Sequence, residues 1–259
     1  MLSALLAPGL AQAFDIYNGA PGLDMPALEK HRSVKMRALW PTDPAEPDFG
    51  QIDVGHVQNF VAALPADRTY EFDLEGNPAR ADLGLDLWHY ETSPATAVAL
   101  REEMMGVIRA ARPDLDIGIW SIPDHVHQLQ RDPSDRALAL AIVQREIQYQ
   151  RVTRFRDTIY IHAYWRAAET DNLDALTQWK KEVRLKVNLA ESFHGQMPRV
   201  YIWHRGFKVL DNTLSPELFE AMLGFLRDEG LDVVFWAQQS DRYFPDWLKA
   251  LLAEYDSAG

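Results

Sequence analysis

Apolar and polar positions along the chain follow two alternating rhythms. Short apolar runs rich in Val, Ile, Tyr, Phe and Trp occupy 14–19, 34–40, 69–75, 116–122, 158–165, 199–204 and 232–237. Most of them end in Gly, Pro or a polar cluster, so they read as buried strands. Between them, apolar residues recur at helical spacing. Val54, Val57, Phe60 and Val61 mark a helix over 52–63, and the pattern returns over 96–111 behind Ser93-Pro94. Longer amphipathic runs cover 133–151 and 173–193. Ser215-Pro216-Glu217 offers an N-cap, a first-turn proline and an acid matched to the helix dipole ahead of 218–229. Gly230 stops that helix, and 246–255 reads as the last one.

Strands alternating with helices predict a parallel α/β sheet with right-handed crossovers. No Gly-rich phosphate loop follows the first strand, and there is no GxGxxG or Walker motif, which disfavours the nucleotide-binding doubly wound folds. Strands ending in polar and aromatic residues suit a TIM-like β/α barrel, whose active site sits at the strands' C-terminal mouth. With 259 residues, 47% of them hydrophobic, and no internal repeat or linker, the expectation is a single barrel domain over 14–259. Residues 1–13 form either an apolar arm or the tail of a signal peptide: Leu2-Ser3-Ala4-Leu5-Leu6-Ala7 is apolar and Ala11-Gln12-Ala13 resembles a cleavage site, but there is no basic n-region. The signal reading implies a secreted or periplasmic protein, the arm reading a cytoplasmic one.

The third strand carries the chemistry. Side chains alternate along a strand, so Tyr70, Phe72 and Leu74 share one face and Glu71, Asp73 and Glu75 the other. The apolar face should pack on outer helices, which aims three carboxylates into the barrel, where charge is costly unless function or pairing demands it. The blander alternative is an edge strand whose acids face water. Positions two apart on a strand lie about 7 Å from each other, close enough for two carboxyl groups to share a site and for one to stay protonated. A protonated acid beside an ionised one is what glycosidic cleavage uses. Glu75, nearest the mouth, would protonate the leaving oxygen; Asp73 would orient a reacting group or stabilise positive charge; Glu71 is the deeper, structural member.

Composition narrows the partners. A net charge of -12 disfavours nucleic acid, and no run of eighteen apolar residues offers a membrane span. The absence of cysteine removes disulfides, thiol catalysis and Cys-ligated metal sites. Eight Trp and nine Tyr suit sugar stacking, although core packing accounts for many of them. Tyr160, His162 and Tyr164 share a face, as do Tyr201, Trp203 and Arg205, and Val234, Trp236 and Gln238, while Trp120 lies near the mouth end of its strand. Asp124-His125-Val126-His127 could offer two imidazoles and a carboxylate to a metal, but reads more simply as exposed loop histidines. No metal and no cofactor is expected.

The order of these features resembles the hyaluronidase family. The family's Asp-x-Glu after an apolar run is similar to Phe72-Asp73-Leu74-Glu75, and its Gly-x-aromatic-Gly-x-Pro-Asp strand to Gly118-Ile119-Trp120-Ser121-Ile122-Pro123-Asp124. A later Ile-Tyr strand is similar to Thr158-Ile159-Tyr160-Ile161, and the Val-Val-x-Trp strand to Val233-Val234-Phe235-Trp236. The resemblance implies a distorted seven-stranded barrel acting on a polysaccharide. It implies Glu75 as general acid/base and Asp73 as the carboxylate that positions a substrate N-acetyl group, which attacks its own anomeric carbon in a retaining, substrate-assisted reaction. It places Tyr160 near the acetamido group and Trp236 under the sugar; the shared strand faces, not the resemblance, add Trp120, Tyr201, Trp203 and Gln238 as further substrate-binding residues. The chain departs from the family in lacking cysteine, in having Trp120 where the family has Tyr, and in following Glu75 with Gly76-Asn77-Pro78. The expected substrate is therefore an N-acetylhexosamine-containing polysaccharide rather than hyaluronan itself. Two alternatives stand beside this one: a non-catalytic carbohydrate-binding barrel, and a metal-dependent hydrolase or deacetylase using His125 and His127.

Overall fold

The computed structural model describes residues 14–35, 52–73, 94–120, 126–167, 171–206, 213–237 and 244–257. At its centre is a closed barrel of parallel strands in chain order: β1 (Ile16–Gly19), β2 (Glu29–Lys35), β3 (Thr69–Asp73), β4 (Asp116–Trp120), β5 (Thr158–His162), β6 (Arg199–Ile202) and β7 (Val233–Trp236). The ring closes where β1 pairs with β7, from Ile16 opposite Val233 to Gly19 opposite Trp236. The helices among the described residues are α1 (Val54–Ala62), α2 (Pro94–Ala111), α3 (Val126–Arg131), α4 (Arg136–Thr153), α5 (Leu173–His194), α6 (Pro216–Asp228) and α7 (Asp246–Ser257). The architecture is the TIM-like barrel that the alternating pattern implies. None of these helices is long and apolar enough to cross a membrane.

Strand alternation sorts the core. Tyr70 and Phe72 on β3, with Ile117 and Ile119 on β4, are fully buried in one cluster with Val57 and Val61 of α1 and Met104, Met105 and Ile108 of α2. On the far side Ile161, Ile202 and Phe235 join Val183 of α5 and Leu218, Phe219 and Met222 of α6, with the Phe219 and Phe235 rings edge-on at 6.1 Å. Each such side chain contributes about 1.5–3 kcal/mol by leaving water. The opposite parity faces the barrel interior, where Glu71 of β3, His31 of β2, Tyr160 of β5 and Tyr201 of β6 are buried.

The helix ends follow the sequence signals. Asp53, Asp135, Asn172 and Ser215 each accept a hydrogen bond from the backbone N–H three residues on, satisfying one orphan donor of α1, α4, α5 and α6. Pro216 opens α6, and Gly230 just beyond it adopts φ 67°, a left-handed conformation that L side chains resist.

One strand departs from expectation. β2 runs over Glu29–Lys35, whereas the apolar pattern placed the second strand at 34–40, most of which lies outside the described residues. The run Glu29-Lys30-His31-Arg32-Ser33 has no apolar face to betray it. Lys30 and Arg32 are exposed, with Lys30 paired to Asp67 at 2.6 Å, while His31 and Ser33 turn to a polar interior.

Candidate active site at the barrel mouth

Because every strand is parallel, their C-terminal ends converge on one mouth. β4 ends on Trp120, β5 on His162 and β7 on Trp236, while Tyr164 and Trp203 lie just past β5 and β6. Their rings make a continuous wall. Trp120 stacks on His162 at 4.8 Å and 21°, and His162 on Tyr164 at 4.7 Å and 22°. Tyr164 then meets Trp236 at 5.6 Å, and Trp203 closes edge-on against Trp236 at 5.3 Å and 73°. These are the offset-stacked and edge-to-face separations that aromatic quadrupoles favour. Trp120, Tyr164 and Trp203 are buried, whereas His162 and Trp236 are only partly covered, so the wall presents these two rings outward.

Helix α5 fixes this wall from behind. Lys186, 1% exposed, donates from Nζ to the His162 carbonyl at 2.7 Å and pairs with Glu182 at 2.9 Å. Trp179 donates its indole N–H to the next carbonyl, Ala163, at 2.8 Å. Residues 179 and 186 are seven apart, two helical turns, so both reach the same strand end. Burying an ammonium is tolerable only with such partners. On the outer side of Trp120, the Arg145 guanidinium lies 6.0 Å from its ring and 4.8 Å from that of Tyr149, and is paired with buried Glu146.

The acidic strand adjoins the wall through β4. Asp73 is the last residue of β3, in register with Lys35 of β2; Leu74 and Glu75 lie outside the described residues. Glu71, two positions earlier, is 3% exposed inside the barrel. It accepts from Ser33 Oγ at 2.7 Å and from the Tyr201 hydroxyl at 3.2 Å. That hydroxyl also lies 2.5 Å from His31 Nε2, and His31 Nδ1 is 2.7 Å from Thr69 Oγ1. Burial foremost, then the Arg199 charge, pushes the His31 pKa down to about 3, so the ring is neutral at physiological pH. Burial and then the Glu71 charge hold the Tyr201 phenol well above its ordinary value.

The sequence-expected site residues thus divide by depth. Trp120, Trp203 and Trp236 belong to the mouth wall. Tyr201 and Tyr160 lie beneath it, both essentially unexposed, their rings edge-on to one another at 5.4 Å. Tyr160 turns its hydroxyl towards Arg199 Nη1, 3.4 Å away. Gln238 and His125 lie outside the described residues, as does the side chain of His127, although its backbone is in α3. Among the described residues no group of three His, Asp or Glu side chains could hold a metal ion.

Sequence reasoning did not single out His162, Tyr164 or His31 as site residues. His162 and Tyr164 carried a usable signal, since both share the parity of Tyr160. His31 carried none until β2 was in place.

No protein-family model and no curated protein sequence matches the chain. Its fold does match solved structures. Bee venom hyaluronidase superimposes with a TM-score of 0.63 at 15% identity, over 94% of this chain and 96% of that one. Bee venom hyaluronidase in complex with a hyaluronic acid tetramer superimposes with a TM-score of 0.62 at 15% identity, over 94% and 95% of the two chains. At that identity the likeness is one of fold: the hyaluronidase-like order of motifs in the sequence corresponds to a shared barrel.

Proposed function

We propose that this chain is a glycoside hydrolase that cleaves a polysaccharide containing N-acetylhexosamine, by acid/base catalysis with retention. The observation that carries the reading is the aromatic wall Trp120–His162–Tyr164–Trp236–Trp203 across the ends of β4 to β7, beside the strand that ends in Asp73. Sugar rings present apolar faces to such a wall, and a carboxylate pair beside it supplies the proton transfers. The shared barrel with a hyaluronidase agrees with it.

In this reading a sugar lies against Trp236 and His162. Glu75 protonates the leaving glycosidic oxygen, and the substrate's own acetamido oxygen attacks the anomeric carbon, so no protein nucleophile is needed. Asp73 orients that acetamido group and stabilises the positive charge it acquires. Glu75 then removes a proton from the water that opens the intermediate.

Release of reducing ends from a panel of N-acetylhexosamine polysaccharides, wild type beside Glu75→Gln and Asp73→Asn, tests the proposal. Glu75→Gln should lose on the order of 10²–10⁴ in rate. Binding without cleavage by wild type would instead make the barrel a carbohydrate-binding module. Activity that survives Glu75→Gln but disappears with a chelator would make it a metal-dependent hydrolase.

A further inference from the structure

Helix α4 reverses the usual division of a surface helix. Its inner face buries Arg145 and Glu146, while Leu140, Val143 and Ile147 stand 57%, 37% and 55% exposed on the outer face. A helix packed on a barrel ordinarily turns its apolar stripe to the core and its charges to water. The inner charges are accounted for: Arg145 pairs with Glu146, and the other Glu146 oxygen lies 3.1 Å from His194 Nε2 of α5. The outer stripe has no such account. Positions 140, 143 and 147 follow the i, i+3, i+7 spacing that lines side chains along one face. The exposed large apolar side chains among the described residues are Val54, Leu140, Val143, Ile147, Leu173 and Met197, so half of them fall in this one stripe. Scattered singly they would need no explanation; gathered in a row they mark a contact surface.

The two ends of the stripe carry opposite charge. Beside its N-terminal end stand exposed Asp132 and Arg136 and half-covered Asp135. Beside its C-terminal end exposed Arg151 and Arg154 share one carboxylate, Glu102 of α2, at 2.5 and 2.7 Å. Two acids against one base at one end, and two bases against one acid at the other, make the face complementary to itself when reversed.

We infer that the outer face of α4 is a contact surface for a second copy of this chain, with the two helices antiparallel about a two-fold axis passing by Val143 and Gln144. That axis sets Leu140 of each copy against Ile147 of the other, with Val143 beside Val143, so every contact is made twice. It also brings Asp132 and Asp135 of each helix to Arg151 and Arg154 of the other. A parallel arrangement would put like ends together and is disfavoured by the same charges. Exposed ion pairs of this kind add little affinity, so the apolar stripe supplies the attachment and the charged ends supply the register. Chain order then fixes where the mouths point. Helix α4 follows β4 and α3 on the mouth side and runs back to the base, where β5 begins at Thr158. Antiparallel α4 helices send the two mouths in opposite directions and leave both open.

Sedimentation equilibrium of the full chain should show a concentration-dependent dimer. Ile147→Lys, a change on an exposed face, should weaken that dimer by roughly 10- to 100-fold and leave the thermal midpoint where it was. The chain has no cysteine, so introduced ones report the geometry directly. Under mild oxidation Gln144→Cys should cross-link to itself, because it lies by the axis. Leu140→Cys should cross-link in a mixture with Ile147→Cys faster than either does alone. A wild type that stays monomeric at millimolar concentration overturns the inference, as does a Gln144→Cys that cross-links no faster than Glu220→Cys, an exposed position on α6. A monomer that binds vesicles of anionic lipid, and loses them in Ile147→Lys, overturns it by making α4 a membrane-surface helix. A monomer whose thermal midpoint falls in Ile147→Lys overturns it by showing that the chain covers the stripe itself.

Discussion

Tyr160 occupies the space that a side chain at Gly118 would need. A Cβ placed on Gly118 would fall 1.8 Å from Tyr160 Cε2 and 2.5 Å from Cδ2, so the two neighbouring strands β4 and β5 fit only because one of them has no side chain there. Tyr160 is fully buried, with His31 and Tyr201 edge-on to its ring, and has no free volume to retreat into.

Gly118→Ala should therefore destabilise strongly for so small a change, at or above the upper end of the about 1–3 kcal/mol usual for overpacking. For a chain of this size that lowers the thermal midpoint by roughly 5–10 °C. Tyr160→Leu should relieve the clash, so the double variant should cost clearly less than the sum of the two single ones. Additive costs in a thermal or urea denaturation series would show that the two residues do not share that space.

The same pair shows what could be read from the sequence. Parity alone places 118, 120, 160, 162 and 201 inside the barrel, and Trp120, Trp203 and Trp236 do line its mouth. Depth is a different quantity. Strands in a barrel are tilted, so Trp120 and Tyr160, though register partners, need not stand at one height along the axis. Tyr160 and Tyr201 accordingly share the inward parity but sit beneath the wall, and only the assembled sheet says so. Strand β2 was hidden for another reason. Strand recognition depends on an apolar face, and β2 spends its inward positions on His31 and Ser33, partners of Thr69 and Glu71 across the strand pair. The acidic run on β3 was legible because Tyr70 and Phe72 give it an apolar outer face.

His31 makes stability depend on pH in a definite direction. Its pKa is pushed down to about 3 in the folded chain, against about 6.5 when unfolded. Between those values the unfolded state binds more protons, so folding is favoured less as the pH falls. The loss begins near pH 6.5, grows by about 1.4 kcal/mol per pH unit and levels off below about pH 3. Urea denaturation at pH 7, 6 and 5 should show this slope, and His31→Gln should reduce it by up to that amount. An identical slope in the variant would mean that His31 is protonated in the fold.

Lys186 should matter beyond its own contacts, because it holds the strand end that carries His162. Lys186→Met keeps the aliphatic packing, removes the donor to the His162 carbonyl and leaves Glu182 without its 2.9 Å partner. The expected cost is about 2–4 kcal/mol in urea denaturation. Oligosaccharide affinity should weaken with it, as the His162 ring loses its fixed backbone. A variant as stable as wild type would reduce the Lys186 contact to one that water replaces.

The wall itself makes the sharpest functional prediction, since its members differ in what they can touch. His162 and Trp236 are only partly covered, while Trp203 is 1% exposed and braces Trp236 edge-on. Trp236→Ala should therefore raise KM by about tenfold, the equivalent of about 1.4 kcal/mol of lost binding, with a much smaller change in kcat, because a stacking platform serves ground state and transition state alike. Its thermal midpoint should change little. Trp203→Ala should do the reverse, losing about 3–5 kcal/mol of stability by opening a cavity in the buried wall. Steady-state kinetics on a soluble oligosaccharide, together with thermal denaturation of both variants, separates the two roles. Equal effects of the two substitutions on KM at equal stability would place the sugar elsewhere than on Trp236.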